Sequence, residues 1–270
     1  MSEFLLSFDV EDWFHAHNLK SAVSRDEWDD CEFRVEQNTL RILDLLDDHD
    51  TTATFFVLGW VADRVPDVVR AIDERGHEIA SHGYNHRLLY EQSREEMRAD
   101  LERSLDVLGE LTDQRIRGYR APSFSITDEA VDALADLGFA YDSSSFPVSG
   151  HDRYGSLSAR SSETFAELDG GLVEAQLPKL GTGRFGVPWA GGGYFRFVPY
   201  PVYRRGVERI ARSRDFIFYL HPWELDPEQP RFSELPLSYR VRHYTNLDET
   251  AGRLDRLLAD FDWGPICDAL

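Results

Sequence analysis

Lysine is nearly absent from this chain. Lys20 and Lys179 are the two lysines among 29 basic residues, so the rest are arginines, and they face 49 acidic residues. A net charge of −20 leaves no basic face for phosphate contacts, which excludes nucleic acid as the expected partner. An acidic surface with so little lysine fits a salt-rich cytoplasm, where mobile ions screen the self-repulsion; an ordinary acidic cytosolic protein is the plainer alternative. Cysteine is scarce too. Cys31 and Cys267 sit near opposite ends, with no C-x-x-C pair and no disulfide framework, as in a reducing compartment. No apolar run reaches about eighteen residues, so no membrane-spanning helix is expected. The opening MSEFLLSFDV lacks a basic n-region and a small-residue cleavage site and runs straight into a strand-like segment. The expectation is therefore a cytoplasmic protein.

What is present supports a large core. Hydrophobic residues make up 42% and aromatics 13% of 270 residues, an ordinary size for one barrel-type domain. No linker, repeat or low-complexity tract interrupts the chain, so residues 1–270 are expected to form a single domain. Strand-like stretches at 4–10, 52–59, 77–81, 116–120, 139–143, 172–177 and 216–220 are mostly separated by helical patterns. Helices are expected at 34–49, 61–75, 94–111, 128–137, near 201–212, and at 247–261. Pro66 fits a helix start, Ser93 with Glu96 a capping box, and Thr127 an N-cap. Alternation of this kind favours parallel strands with helical crossovers. The pattern alone leaves a barrel and an open doubly wound sheet both open.

The polar residues fall at strand ends. Strand one ends in FDVEDWFH, with Asp9, Glu11 and Asp12. SHGYNH brings His82 and His86, GYRAPSFS brings Arg120, YDSSSFP brings Asp142, and YLHPWE brings His221 and Glu224. Taken singly, each has a plain structural explanation: a solvated acidic loop, a structural arginine, a buried histidine. In a barrel, all these carboxyl ends share one rim, where barrel enzymes place their sites. Two imidazoles and a carboxylate make a zinc-type site with open positions. Such an ion lowers the pKa of a bound water, a nearby carboxylate can take its proton, and a separate histidine can protonate a leaving group. That is equipment for hydrolysing an amide or ester.

With those strings in order, the chain resembles the polysaccharide deacetylases of carbohydrate esterase family four. It is most similar to a subgroup marked by DVEDWFH, SHGYNH, GYRAPSFS, GGGYFR and YLHPWELD. The resemblance covers nearly the whole chain and implies a distorted (β/α)7 barrel of the α/β class, TIM-barrel-like. It implies Asp9 as catalytic base, His82 and His86 as metal ligands, Arg120 as the arginine that orients the base, and His221 as catalytic acid, with Asp142 as its charge partner. The backbone N–H of Ser123 would be the oxyanion donor. The family's adjacent aspartates are not matched here, because Val10 follows Asp9. Asp12 is favoured as the carboxylate ligand for its shorter side chain, with Glu11 its competitor. The implied cofactor is a divalent metal, zinc first, with cobalt, nickel or iron as alternatives. The implied substrate is an N-acetylated sugar in a polysaccharide or glycan precursor. Two other readings are an amidohydrolase of a small non-sugar amide and a non-catalytic glycan-binding relative. Trp13, Trp189, Tyr194 and Trp223 are candidates for stacking on sugar faces. GGGYFRF reads equally as a loop closing over a sugar or as a tight turn. HDRYG (151–155) reads as a substrate contact or a loop fastener.

Overall fold

The computed structural model describes residues 2–146, 154–158, 163–181 and 186–270. His151–Arg153 of the HDRYG segment lie outside the described residues. Eleven strands and nine α-helices are found among those described. The first strand, β1 (Phe4–Val10), is buried along almost its whole length, as expected of a parallel strand covered on both faces. It pairs in parallel with β2 (Thr54–Val57) on one side and β10 (Phe216–Leu220) on the other. From β2 the sheet continues in parallel through β3 (Glu78–Ser81), β4 (Gly118–Tyr119), β5 (Tyr141–Asp142) and β7 (Val173–Ala175). Strand β6 (Phe165–Glu167) is added antiparallel to β7, and β11 (Trp263–Gly264) extends the β2 side of β1. A separate hairpin joins β8 (Lys179–Leu180) to β9 (Val187–Pro188).

Helices connect the parallel strands. They are α1 (Val35–Asp48), α2 (Gly59–Arg64), α3 (Pro66–Glu74), α4 (Arg94–Gly109) and α5 (Asp128–Asp136). The local signals place them well. Pro66 occupies the first turn of α3, the Ser93/Glu96 capping box opens α4, and the Thr127 side chain accepts from the Ala130 N–H at the start of α5. The single helix expected over 61–75 is two, because the chain breaks at Val65 to admit Pro66. Helices α6 (Gly192–Phe197) and α7 (Tyr200–Ile210) precede β10, and α8 (Leu237–Tyr244) and α9 (Leu247–Asp260) follow it. No helix among the described residues is long and apolar enough to cross a membrane.

The parallel sheet curls as a barrel wall, and its two ends meet without strand pairing among the described residues. Side chains and loops bridge the gap. Arg214 donates to the Gln176 carbonyl (3.1 Å) and to Thr164 Oγ1 (3.2 Å), while the Tyr219 N–H reaches the Ala190 carbonyl (2.9 Å). This gap is the distortion of the (β/α)7 barrel. It leaves one rim on which the carboxyl ends of β1, β3, β4 and β10 converge.

Candidate active site

Strand β1 delivers Asp9 within its last turn of pairing and Glu11 just beyond it. His82 follows β3 directly, its N–H on the Val57 carbonyl (2.9 Å). His86 lies four residues on, in a left-handed backbone conformation (φ 52°). These placements bring Glu11 Oε1 to 2.9 Å from His82 Nε2 and 2.8 Å from His86 Nε2. Ligand atoms of the three residues all lie within 4.8 Å of one another. His82 Nδ1 faces the Arg120 carbonyl at 2.7 Å, so that nitrogen carries the proton and Nε2 presents its lone pair toward Glu11. The donor set fits a divalent metal with N/O preference. Burial by itself would raise the Glu11 carboxyl. The charges of His86 and His221 outweigh it and hold Glu11 well below its ordinary value.

Asp12, favoured from the sequence as ligand, does something else. Its carboxylate accepts N–H groups from Trp13 (2.8 Å), Arg34 (2.7 Å) and Val35 (2.9 Å). It therefore caps the first turn of α1 from a distance, where the helix dipole favours negative charge. Burial lifts its pKa to about 6 against the pull of those donors. The chain turns between Glu11 and Asp12, so the longer residue reaches the histidines and the shorter one faces the helix. Asp12→Ala is expected to cost about 3 kcal/mol, from a lost cap and unsatisfied buried N–H groups. The folded fraction should still bind metal. A denaturant midpoint with metal analysis on the same preparation checks both parts.

Arg120 is fully buried and every nitrogen is engaged. It donates to Asp9 Oδ1 (2.7 Å), Ser7 Oγ (2.9 Å), and the Ser143 carbonyl and Oγ (both 2.9 Å), and its guanidinium lies over the Phe56 ring. Asp9 is thereby fixed with its second oxygen 3.8 Å from His221 Nε2. The partner of His221 is Glu224, not Asp142. Glu224 Oε1 sits 2.8 Å from His221 Nδ1, and Arg196 Nε donates to Glu224 Oε2 at 2.8 Å. Arg196 is held in turn by the carbonyls of Arg242, His243 and Thr245. Burial would lower the His221 pKa, but Glu11, Glu224 and Asp9 outweigh it and raise it to about 9. Asp142 lies deeper, accepting from Ser144 Oγ (2.5 Å) and Ser144 N–H (3.2 Å). Glu174 is its neighbour, and burial raises both carboxyls.

The sequence placed Glu224 at the rim without a role and missed Arg196 within GGGYFR. A histidine followed three residues later by a glutamate, at the end of a strand, was the available signal for the first. The glycine run is neither a mobile loop nor a turn. It is the start of α6, pressed against neighbours: a Cβ on Gly191 would collide with the Tyr219 ring, and one on Gly192 with the Glu224 carboxylate. Glycine there allows the close approach that seats Arg196 on Glu224.

These groups open on a cavity of about 810 Å³. Ser123 lines it, and Ser123 and Phe124 hold positive φ values of 52° and 59°. With His86, that makes three non-glycine left-handed residues at one cavity, strain of the kind that collects at functional sites. Tyr194 and Trp223 also line it; Trp223 is stacked between His221 (5.2 Å) and His243 (4.5 Å). Trp13 and Trp189 do not line it. Trp13 is buried with its indole N–H on the Glu32 carbonyl, and Trp189 is buried against Tyr203 with its N–H on the Tyr203 carbonyl. Both are core aromatics that found a backbone acceptor.

Residues 27–141 match the family described as Polysaccharide deacetylase, and residues 143–270 match Domain of unknown function DUF3473. The first match includes His82, His86 and Arg120; Asp9, Glu11 and His221 lie outside it. A peptidoglycan-N-acetylglucosamine deacetylase of Bacillus cereus is 28% identical over 178 residues, 60% of this chain and 63% of that protein. A chitooligosaccharide deacetylase of Sinorhizobium fredii is 32% identical over 103 residues, 38% of this chain and 48% of that one. The matched segment is thus less than two thirds of either relative's length. Among solved structures, a candidate polysaccharide deacetylase from Mycobacterium smegmatis has a TM-score of 0.66 at 20% identity, covering 99% of this chain and 88% of that one. A carbohydrate esterase family 4 pseudoenzyme from Bacillus anthracis has a TM-score of 0.55 at 17% identity, covering 99% and 64%. At these identities the likeness is one of fold, and a pseudoenzyme among the neighbours means that the fold alone does not carry turnover.

Proposed function

We propose that this chain, whose residues 27–141 match the polysaccharide deacetylase family, hydrolyses the acetamide of an N-acetylated sugar, within one domain spanning residues 1–270. Parallel pairing of β5 with β7, Tyr141 opposite Val173, crosses the boundary between the two matched segments and supports the single domain. The observation that carries the function is the convergence of Glu11, His82 and His86 beside an Arg120-held Asp9 and a Glu224-held His221 on one cavity. The named activities of the B. cereus and S. fredii relatives support the substrate class.

Glu11, His82 and His86 would hold a divalent metal, zinc by ligand type, which supplies a Lewis acid next to the scissile carbonyl. Asp9 takes a proton from the attacking water while Arg120 holds its carboxylate aimed. The Ser123 N–H meets the negative charge that develops on the carbonyl oxygen. His221 gives its proton to the sugar nitrogen as the C–N bond breaks. One water is consumed, and acetate and a free amine leave. Asp142 has no part in this step, and Glu224 takes the place the sequence gave it.

The test is acetate release from chitooligosaccharides by the metal-loaded chain, with the free amine detected in the product. Asp9→Asn should lower kcat by about 10²–10⁴. Turnover of small non-sugar amides without any from N-acetylated sugars would replace this reading with the amidohydrolase one.

A further inference from the structure

One wall of the cavity has no task in deacetylation. Away from the catalytic groups its apolar part is Tyr194 and Phe197 of α6 and Leu237 and Val241 of α8, with Ser238 and Tyr239 of α8 lining the cavity beside them. Leu237 is 71% exposed and Val241 46%, and they stand at i and i+4 on one face of α8. Tyr194 and Phe197 are exposed as well. Scattered single apolar side chains on a surface need no explanation, but a contiguous group at a cavity does, above all in a chain with 29% charged residues.

A cleft built for a sugar polymer needs hydrogen-bonding groups along its length, since hydroxyls taken from water without partners are costly. Aromatic rings suit the C–H face of a sugar, but the aliphatic Leu237 and Val241 offer neither stacking nor hydrogen bonds. Arg242, on the same helix, also lines the cavity and suits a phosphate. The wall is fixed relative to the acid, because Arg196 binds both Glu224 and the carbonyls at the end of α8.

We propose that the site takes an amphiphilic N-acetylated saccharide, a short sugar head on a long alkyl or polyisoprenoid chain. The head lies among Asp9, Glu11 and His221, and the chain lies along Tyr194, Phe197, Leu237 and Val241. This rests on the deacetylase reading and narrows its substrate.

The probes are the methyl and n-octyl β-glycosides of N-acetylglucosamine, with chitotetraose, all below micelle-forming concentration. Acetate release gives kcat/KM, and calorimetry gives Kd independently of turnover. The octyl glycoside should exceed the methyl glycoside by about tenfold or more in both, since apolar burial adds affinity for each methylene. Leu237→Ser with Val241→Ser should bring that ratio to about twofold or less. Equal values for the two glycosides, a ratio unchanged by the substitutions, or a preference for chitotetraose would each overturn the inference while leaving the deacetylase reading standing. Preferential octyl binding with no acetate released would support the amphiphile site and sink the reaction. A dimer that the double substitution dissociates would assign this wall to a second copy and overturn the inference.

Discussion

Glu11→Ala is expected to abolish binding of a divalent metal and to lower kcat/KM for deacetylation by about 10³ or more, roughly 4 kcal/mol of transition-state stabilisation. His82→Ala with His86→Ala should do the same. The three residues supply every ligand atom in the cluster, and the Glu11 carboxylate is its negative charge. Without it, two imidazoles remain beside the raised His221, and a cation gains little there. Asp12→Ala separates the two adjacent carboxylates. It removes acceptors for three backbone N–H groups and so costs stability, but it leaves the cluster whole. The measurement is elemental analysis of protein prepared without chelators or a histidine tag, with circular dichroism to show that each variant is folded. A wild type that holds no metal after incubation with zinc, cobalt and nickel would sink the metal site. Metal kept by Glu11→Ala and lost by Asp12→Ala would reverse the assignment of the ligand.

Glu224→Gln is expected to lower kcat by about 10–10³, less than the roughly 10²–10⁴ expected for His221→Ala. Glu224 accepts from both the His221 backbone N–H and its Nδ1–H, so it fixes the ring and stabilises the imidazolium, whose second proton, on Nε2, faces the cavity. It is a positioning residue and acts only through the imidazole. The discriminating readout is the pH profile. His221 protonates with a pKa raised to about 9, so the acid is in place at neutral pH and the rate should fall on the alkaline side. Removing the Glu224 charge withdraws one of the negative groups that raise this pKa, so the alkaline fall should move to lower pH. A metal ion on Glu11 offsets another, which moves the limb the same way in the loaded enzyme. A variant with reduced kcat and an unmoved alkaline limb would mean that Glu224 serves structure only. Arg196→Lys adds a second check. It keeps the positive charge by Glu224 but loses contacts to the α8 carbonyls, so the limb should move less than in Glu224→Gln.

Much of this was legible in the chain itself. The residues of β1 and β10, the caps of α4 and α5, and the proline start of α3 are local signals: hydrophobic period, a side chain reaching a free N–H, a fixed φ. Each needs only a few neighbours to be read. SHGYNH was readable for a similar reason, since a strand end followed by a four-residue return brings both imidazoles to one rim whatever lies elsewhere. Gln176 and Arg214 closing the gap in the sheet, and α6 and α8 beside the cavity, had no such local mark.

The choice between like groups was made only in three dimensions. Glu11 and Asp12 are adjacent carboxylates, and composition cannot rank them. What ranks them is α1, whose N-terminus arrives from Arg34 and Val35 to claim Asp12 and leaves Glu11 to the histidines. Asp142 and Glu224 are both carboxylates at strand ends, and β10 carries His221 to the one that Arg196 already holds. Trp13 and Trp189 have the composition of a sugar platform, yet the packing around them turns both indoles to backbone carbonyls. The physical reason is common to all three. Sequence fixes which chemical groups exist and their local conformation, whereas partners separated by tens to hundreds of residues are chosen by which arrangement leaves no buried charge or N–H unpaired.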